Sequence, residues 1–244
     1  MKVLLDKLEF LIDEAIKLTS FIRFKKENDQ HLYAVMIHGS VLEIANGCFC
    51  LYRTECYSSV PVLVRAQLEA YVDLRNLCDT GDYLNYMHAA YLVQKQKLIK
   101  NAVLRGKDNE YLKDLANSPD LESGYEKINN EITELKKRGY KKLEVSERFE
   151  KAGVANLYDS VYPMLCQHSH NNIDIIERRH LEFDEDAISV SYFQEPCKER
   201  NLFLIDTIAG VLSDSTDQVF TLLGIDNEKL SDLLEKLAEL RATY

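Results

Sequence analysis

The sequence predicts an all-α fold, a multi-helix bundle of about eight helices with one small β-hairpin at about 180–193. Three observations predict it. Apolar residues recur at three- and four-residue spacing along most of the chain, the period of a helix with one buried face. Turn formers are scarce: 9 Gly and 4 Pro in 244 residues, about 5% where average usage is roughly 12%. A sandwich or barrel needs a turn residue every ten or so positions. The helical period gives way to strict alternation in only one short stretch.

Taken in order, residues 2–26 place Leu4, Leu5, Leu8, Leu11, Ile12, Ala15, Ile16 and Leu18 on one helical stripe. Asn28 and Asp29 are cap residues for a second helix over about 29–54, with His31, Val35, His38, Leu42 and Ala45 along one side. Ser59 followed by Pro61 is a cap-then-proline helix start, and that helix runs to about Leu77. A tyrosine-rich helix over about 82–105 ends at Gly106. Residues 107–152 are strongly charged, with short helical segments near 108–116, 119–137 and 146–152, and read as a charged helical insertion in a single domain spanning 1–244. A helix over about 155–168 returns to core character. His180–Phe183 and Ala187–Phe193 then alternate apolar and polar around the acidic turn Asp184-Glu185-Asp186, one hairpin. After Pro196 a long helix reaches about Leu223, Gly224 ends it, and an amphipathic helix over about 227–241 closes the chain. The first and last helices, both amphipathic, are expected to pack on each other or to form a homodimer.

Composition narrows the function classes. With 30 Lys+Arg against 40 Asp+Glu the net charge is −10, so a whole-surface grip on nucleic acid is excluded and only a local patch could hold an anion. Asp6, Glu9, Asp13 and Glu14 interrupt the apolar residues of the N-terminus, which is unlike a signal-peptide core. No stretch approaches the roughly 18 uninterrupted apolar residues of a spanning helix, and no membrane association is expected. The six cysteines form no CxxC pair, and a cytoplasmic, reduced protein is expected. P-loop, dinucleotide, hydrolase-elbow and zincin motifs are absent, so no cofactor is expected. Glu177-x-x-His180 has the spacing of a di-iron ligand pair, but such sites need two of these motifs and two further glutamates, so no metal is expected.

The polar residues set inside apolar helices are the candidate site. Arg65, Glu69 and Asp73 fall at i, i+4 and i+8 of the third helix, one stripe on an otherwise apolar element. Three readings stay open. The stripe is an internal ion-pair network that fixes helix register, it faces solvent, or it lines a cleft in which Arg65 holds phosphate, Glu69 orients it and His170 moves a proton. His168 and His170 end a helix containing Tyr162, where an imidazole can act as an acid–base group or cap the helix carboxyl end. Asp73, Tyr162 and His38 are candidate binding residues, as are Lys137 and Arg138 in the basic run Lys136–Lys142. That run could guide an anionic partner, RNA or a nucleotide.

The run His31–Ala45, the run Val64–Leu74, the Tyr162–His170 stretch and the HLEF…ISVSYF hairpin together resemble a bacterial all-helical family, a domain of unknown function, over about 30–193. The chain is also loosely similar to the HEPN superfamily of helical bundles, many of which are RNases in stress and phage-defence systems. That resemblance implies an effector acting on RNA or a nucleotide. Its signature is Arg, four to six residues, then His on one helix, and no Arg in this sequence is followed by a His at that spacing. The other expectation is a non-catalytic interaction or sensor module whose Arg/Glu/His network is structural.

Overall fold

The computed structural model describes residues 1–170, 172–184, 187–193 and 196–243. Among them are twelve α-helices and one two-stranded antiparallel sheet. The all-α expectation holds. The count of about eight helices is corrected to twelve, for identifiable reasons. The expected helix over 155–168 is two, α8 (Ala155–Asp159) and α9 (Val161–Ser169), with Ser160 between them. Pro163 lacks the N–H that would bond to the Asp159 carbonyl, and its ring crowds that carbonyl, so the helix restarts where proline is tolerated in a first turn. A short helix over Ile173–His180, α10, was hidden by its charge: Ile175 is its one buried residue, and Asn172 caps it by accepting from Ile175 N at 3.4 Å. The charged stretch supplies the rest, as three separate short elements.

The chain divides into two compact units, residues 1–79 with 148–244, and residues 80–147. The first is built on three long helices, α2 (Asp29–Arg53), α3 (Val60–Asp79) and α11 (Lys198–Leu223), which pack pairwise. Their shared core includes Val41, Ala45, Val64, Leu68, Val72, Ile205, Ile208 and Leu212. Buried polar side chains tie the unit together. Gln67 Nε2 donates to Val41 O and Ile208 O, each at 3.4 Å. Asn76 Nδ2 donates to Val72 O and Arg148 O, each at 2.9 Å. The Asn28 side chain accepts from His31 N at 3.1 Å and caps α2 as the sequence predicts.

α1 (Lys2–Leu18) buries Leu4, Leu5, Leu8, Leu11, Ile12 and Ala15. It packs on α2, on α11 and on α12 (Ser231–Arg241), so the two terminal helices meet within one chain. Gly224 makes that return possible. It adopts φ +64 at the end of α11, a left-handed conformation that costs glycine little. By length and a mean hydropathy of 1.5, α2 is the one described helix able to cross a membrane; here its buried residues, among them His38, Val41 and Ala45, face the bundle. The hairpin pairs β1 (Leu181–Phe183) with β2 (Ile188–Val190) in the register Leu181↔Val190, Glu182↔Ser189, Phe183↔Ile188. Glu185 and Asp186 of the expected acidic turn lie outside the described residues.

The second unit carries α4 (Tyr83–Arg105), α5 (Glu110–Ala116) and α6 (Leu121–Lys137). Its own small core joins Ala89, Leu92 and Ile99 of α4 to Ile128, Ile132 and Leu135 of α6. α6 carries its apolar residues on one stripe and needs a partner face, which α4 supplies. A Cβ at Gly106 would collide with Ala116 Cβ and the Ala102 carbonyl, so the turn from α4 to α5 requires glycine. α7 (Val145–Lys151) follows, and from Arg148 onward it belongs to the first unit.

Candidate functional site

α3 presents Arg65, Glu69 and Asp73 on one stripe, as the spacing predicts, while its opposite face is buried among apolar residues. α9 packs on α3 and brings Tyr162 to the stripe. The Tyr162 hydroxyl donates to Glu69 Oε1 at 2.8 Å and accepts from Arg65 Nη2 at 3.1 Å. Arg65 Nε donates to the same carboxylate oxygen at 3.1 Å. The Arg65 guanidinium also lies over the Tyr162 ring, 5.2 Å from its centroid. Burial and the bond to Glu69 push the Tyr162 phenol up to about 12, so it stays a neutral donor at physiological pH.

A fifth member, Arg148 of α7, completes the cluster. Its Nε and Nη2 clamp the two oxygens of Asp73 at 2.9 and 2.7 Å. The same Nη2 reaches Glu69 O at 3.1 Å, and Nη1 lies 3.6 Å from Glu69 Oε2. Two guanidiniums therefore face two carboxylates, with a tyrosine as bridge. All the charged side chains are between 18% and 29% exposed, so the pairs are screened less than surface pairs are.

The other expected site residues lie elsewhere. His170 sits just past the end of α9, exposed, and makes no side-chain hydrogen bond or ion pair with the described residues. His38 is buried between α2 and α11, its Nε2 3.1 Å from Thr216 Oγ1. Thr216 donates its hydroxyl hydrogen to Leu212 O at 2.9 Å, so His38 is the donor in the pair. Desolvation lowers the His38 pKa to about 4, and the ring is neutral. Lys137, in the second unit, pairs with Glu134 at 2.6 Å on the surface. Arg138 lies over the Tyr140 ring at 5.3 Å and donates to Asn85 Oδ1 at 3.3 Å. The Lys141 ammonium of the same basic run meets Glu147 at 2.6 Å, so neighbouring glutamates answer part of its charge. Among the described residues no group of three His, Cys, Asp or Glu side chains is placed to hold a metal ion.

Sequence reasoning missed a second cluster in the first unit. His168, Arg178, Arg179 and Arg200 line one small cavity with Tyr57, Ser58, Pro61 and Pro196. Arg200 Nη2 lies against the His168 ring nitrogens, and Arg179 donates to Ser58 O. Burial, then the fields of Arg200 and Arg179, lower the His168 pKa to about 4. Desolvation likewise lowers Arg179 and Arg200, the latter further through Arg179 and Arg178. A signal for this cluster exists in the sequence. Arg200 falls in the first turn of α11, the positive end of the helix dipole, where a cation is locally unfavourable.

The chain belongs to a family of unknown function, DUF5677, whose match covers residues 31–188, about two thirds of the sequence. The match takes in the whole Arg65 cluster together with His168, Arg178 and Arg179, and ends before Arg200. No curated protein matches the chain, and no solved structure does.

Proposed function

We propose that this chain is a non-catalytic binding or sensing module of the cytoplasm, in which the Arg65–Glu69–Tyr162–Asp73–Arg148 cluster is a structural clamp. The observation that carries this reading is the closure of that cluster. Arg65 commits Nε to Glu69 and Nη2 to Tyr162, and Arg148 commits its fork to Asp73. A phosphate-gripping arginine needs two parallel N–H groups free for the ligand. The clamp instead bolts α3 to α9 and α7. His170, the group that would move a proton, shares no bond with it.

The competing reading is a HEPN-like effector that cleaves RNA with Arg65 and His170. Incubating the wild type, His170→Ala and Arg65→Lys with total RNA and tRNA, alongside thermal melts, separates the two. The module reading expects no cleavage by any of the three proteins and a lower Tm for Arg65→Lys, because a lysine cannot serve Glu69 and Tyr162 with a planar fork. RNA cleavage by the wild type that disappears in His170→Ala overturns it.

A further inference from the structure

The arginine cavity has the opposite character to the clamp. Its charged lining is Arg178, Arg179 and Arg200, with the His168 ring beside them, and among the described residues it contains no carboxylate. Arg178 alone has an acidic partner there, Asp174 at 3.1 Å, in a pair exposed to solvent. Arg179 and Arg200 are both part-buried and, among the described residues, hydrogen-bond to neutral acceptors, Ser58 O and the His168 ring. Charges withdrawn from water are normally paired, because desolvating an ion without a counter-charge is costly. The Tyr52 hydroxyl adds a further unmet group. It is buried without a hydrogen-bond partner among the described residues, close enough to Arg200 to feel its field, and its ring packs on Tyr57 of the cavity wall.

The space beside these groups has two parts. The cavity itself holds about 50 Å³, room for a few waters or one compact anion. It shares Pro61, His168, Arg178 and Arg200 with a groove of about 570 Å³. Met164, Leu165, Ile175, Phe203 and Leu204 give that groove an apolar floor, and Gln167, Asp174 and Glu199 give it hydrogen-bonding groups. A cation-rich end opening on an apolar trough with acceptors is complementary to a molecule with an anionic head and a flat, partly polar body.

We propose that this pocket binds a nucleoside monophosphate, its phosphate held by Arg179 and Arg200 and its base lying in the groove over Met164 and Phe203. The proposal names the ligand class of the binding module described above and rests on that reading. Phosphate is favoured over carboxylate by charge: a phosphomonoester carries close to two negative charges at neutral pH, which suits a site with three arginines and, among the described residues, no carboxylate in its lining. Arginine forks match its oxygens through parallel hydrogen bonds. Asp174 and Glu199 sit in the groove and not in the cavity, where they can accept from the amino group of a base.

Calorimetric titration of the full chain with AMP, inorganic phosphate and adenosine tests this, with Arg200→Gln and Met164→Glu as variants. Met164 is 44% exposed, so its replacement leaves the core intact. AMP is expected to bind the wild type more tightly than either fragment and to raise its Tm. Arg200→Gln should weaken AMP by about tenfold or more while its ligand-free Tm stays at or above the wild-type value, since one of several like charges is gone. Met164→Glu should weaken AMP and leave inorganic phosphate unchanged. The proposal is overturned if AMP does not bind at millimolar concentration, if adenosine binds as well as AMP, if Arg200→Gln binds AMP as the wild type does, or if an RNA strand binds without competition from AMP. An RNA-cleaving wild type would instead overturn the module reading, and the titrations would still report on the pocket.

Discussion

Two arginine clusters sit in the first unit, built from the same kinds of residue and closed to different degrees. Beside α3, Arg65 and Arg148 face Glu69 and Asp73, and Nε and Nη2 of both guanidiniums have partners. At the start of α11, Arg179 and Arg200 face a carbonyl and an imidazole, with a third arginine beside them. Closure is what separates structural from ligand-binding charge. A closed cluster stabilises the fold and has fewer donors to offer a ligand. An open one destabilises the empty fold, and its persistence needs a reason outside the fold.

Breaking this contrast should have its largest effect at Arg148. Arg148→Met should cost about 2–3 kcal/mol in urea denaturation, less than a fully buried pair because both partners are partly exposed. A double-mutant cycle with Asp73→Asn should show strong coupling. Independent, additive losses would mean that the two side chains do not act as a pair.

Next in size is a comparison of histidines in pH. His38 is buried and neutral, with its pKa lowered to about 4 from 6.5. Between those values the unfolded chain binds more protons than the folded one, so stability falls as pH drops from 6.5 toward 4, by at most about 1.4 kcal/mol per pH unit for one group. His168 is lowered in the same direction, by burial and by its arginine neighbours. Denaturation at pH 6.5 and pH 5, where most carboxylates remain charged, isolates the histidines. His38→Gln should flatten that dependence, and Arg200→Gln should lessen the share due to His168. An unchanged slope in His38→Gln would show that His38 already takes up a proton in the folded protein.

A smaller loss, about 1 kcal/mol, is expected for Glu69→Gln. The amide oxygen still accepts from Tyr162 and Arg65, while the attraction to two guanidiniums is gone. A loss as large as that of Arg148→Met would make Glu69 the keystone of the clamp in place of Asp73. The smallest effect is at Lys137. Its pair with Glu134 is 65% and 66% exposed, and Lys137→Ala should leave the Tm unchanged. A measurable fall would mean that surface pairs on α6 matter to the second unit.

Four of the five clamp residues, all but Arg148, can be read from the sequence as site candidates. Arg65, Glu69 and Asp73 announce themselves by their four-residue spacing on an apolar helix, because that regularity is local. Arg148 does not, since it joins Asp73 across 75 positions and sits in a seven-residue helix with one buried residue, Phe149. The histidines show what local spacing can still deliver. Leu165 is buried, and three residues on, His168 shares its face of α9; His170 lies beyond the last turn. That spacing separates the two rings and favours His168 as the one turned toward the protein. The helix count failed where a proline and a charged stretch hid element ends: Pro163 splits one expected helix, and α10 shows too few apolar residues for its period to stand out.

In the proposed division, one arginine cluster holds the fold together and the other binds a ligand. The most direct test of that division is ligand-free urea unfolding of Arg148→Met and Arg200→Gln beside the wild type. A marked loss is expected for Arg148→Met, and for Arg200→Gln a stability equal to or above that of the wild type. Equal losses in both variants would contradict the division, because Arg200 would then be a structural residue and its cavity part of the fold.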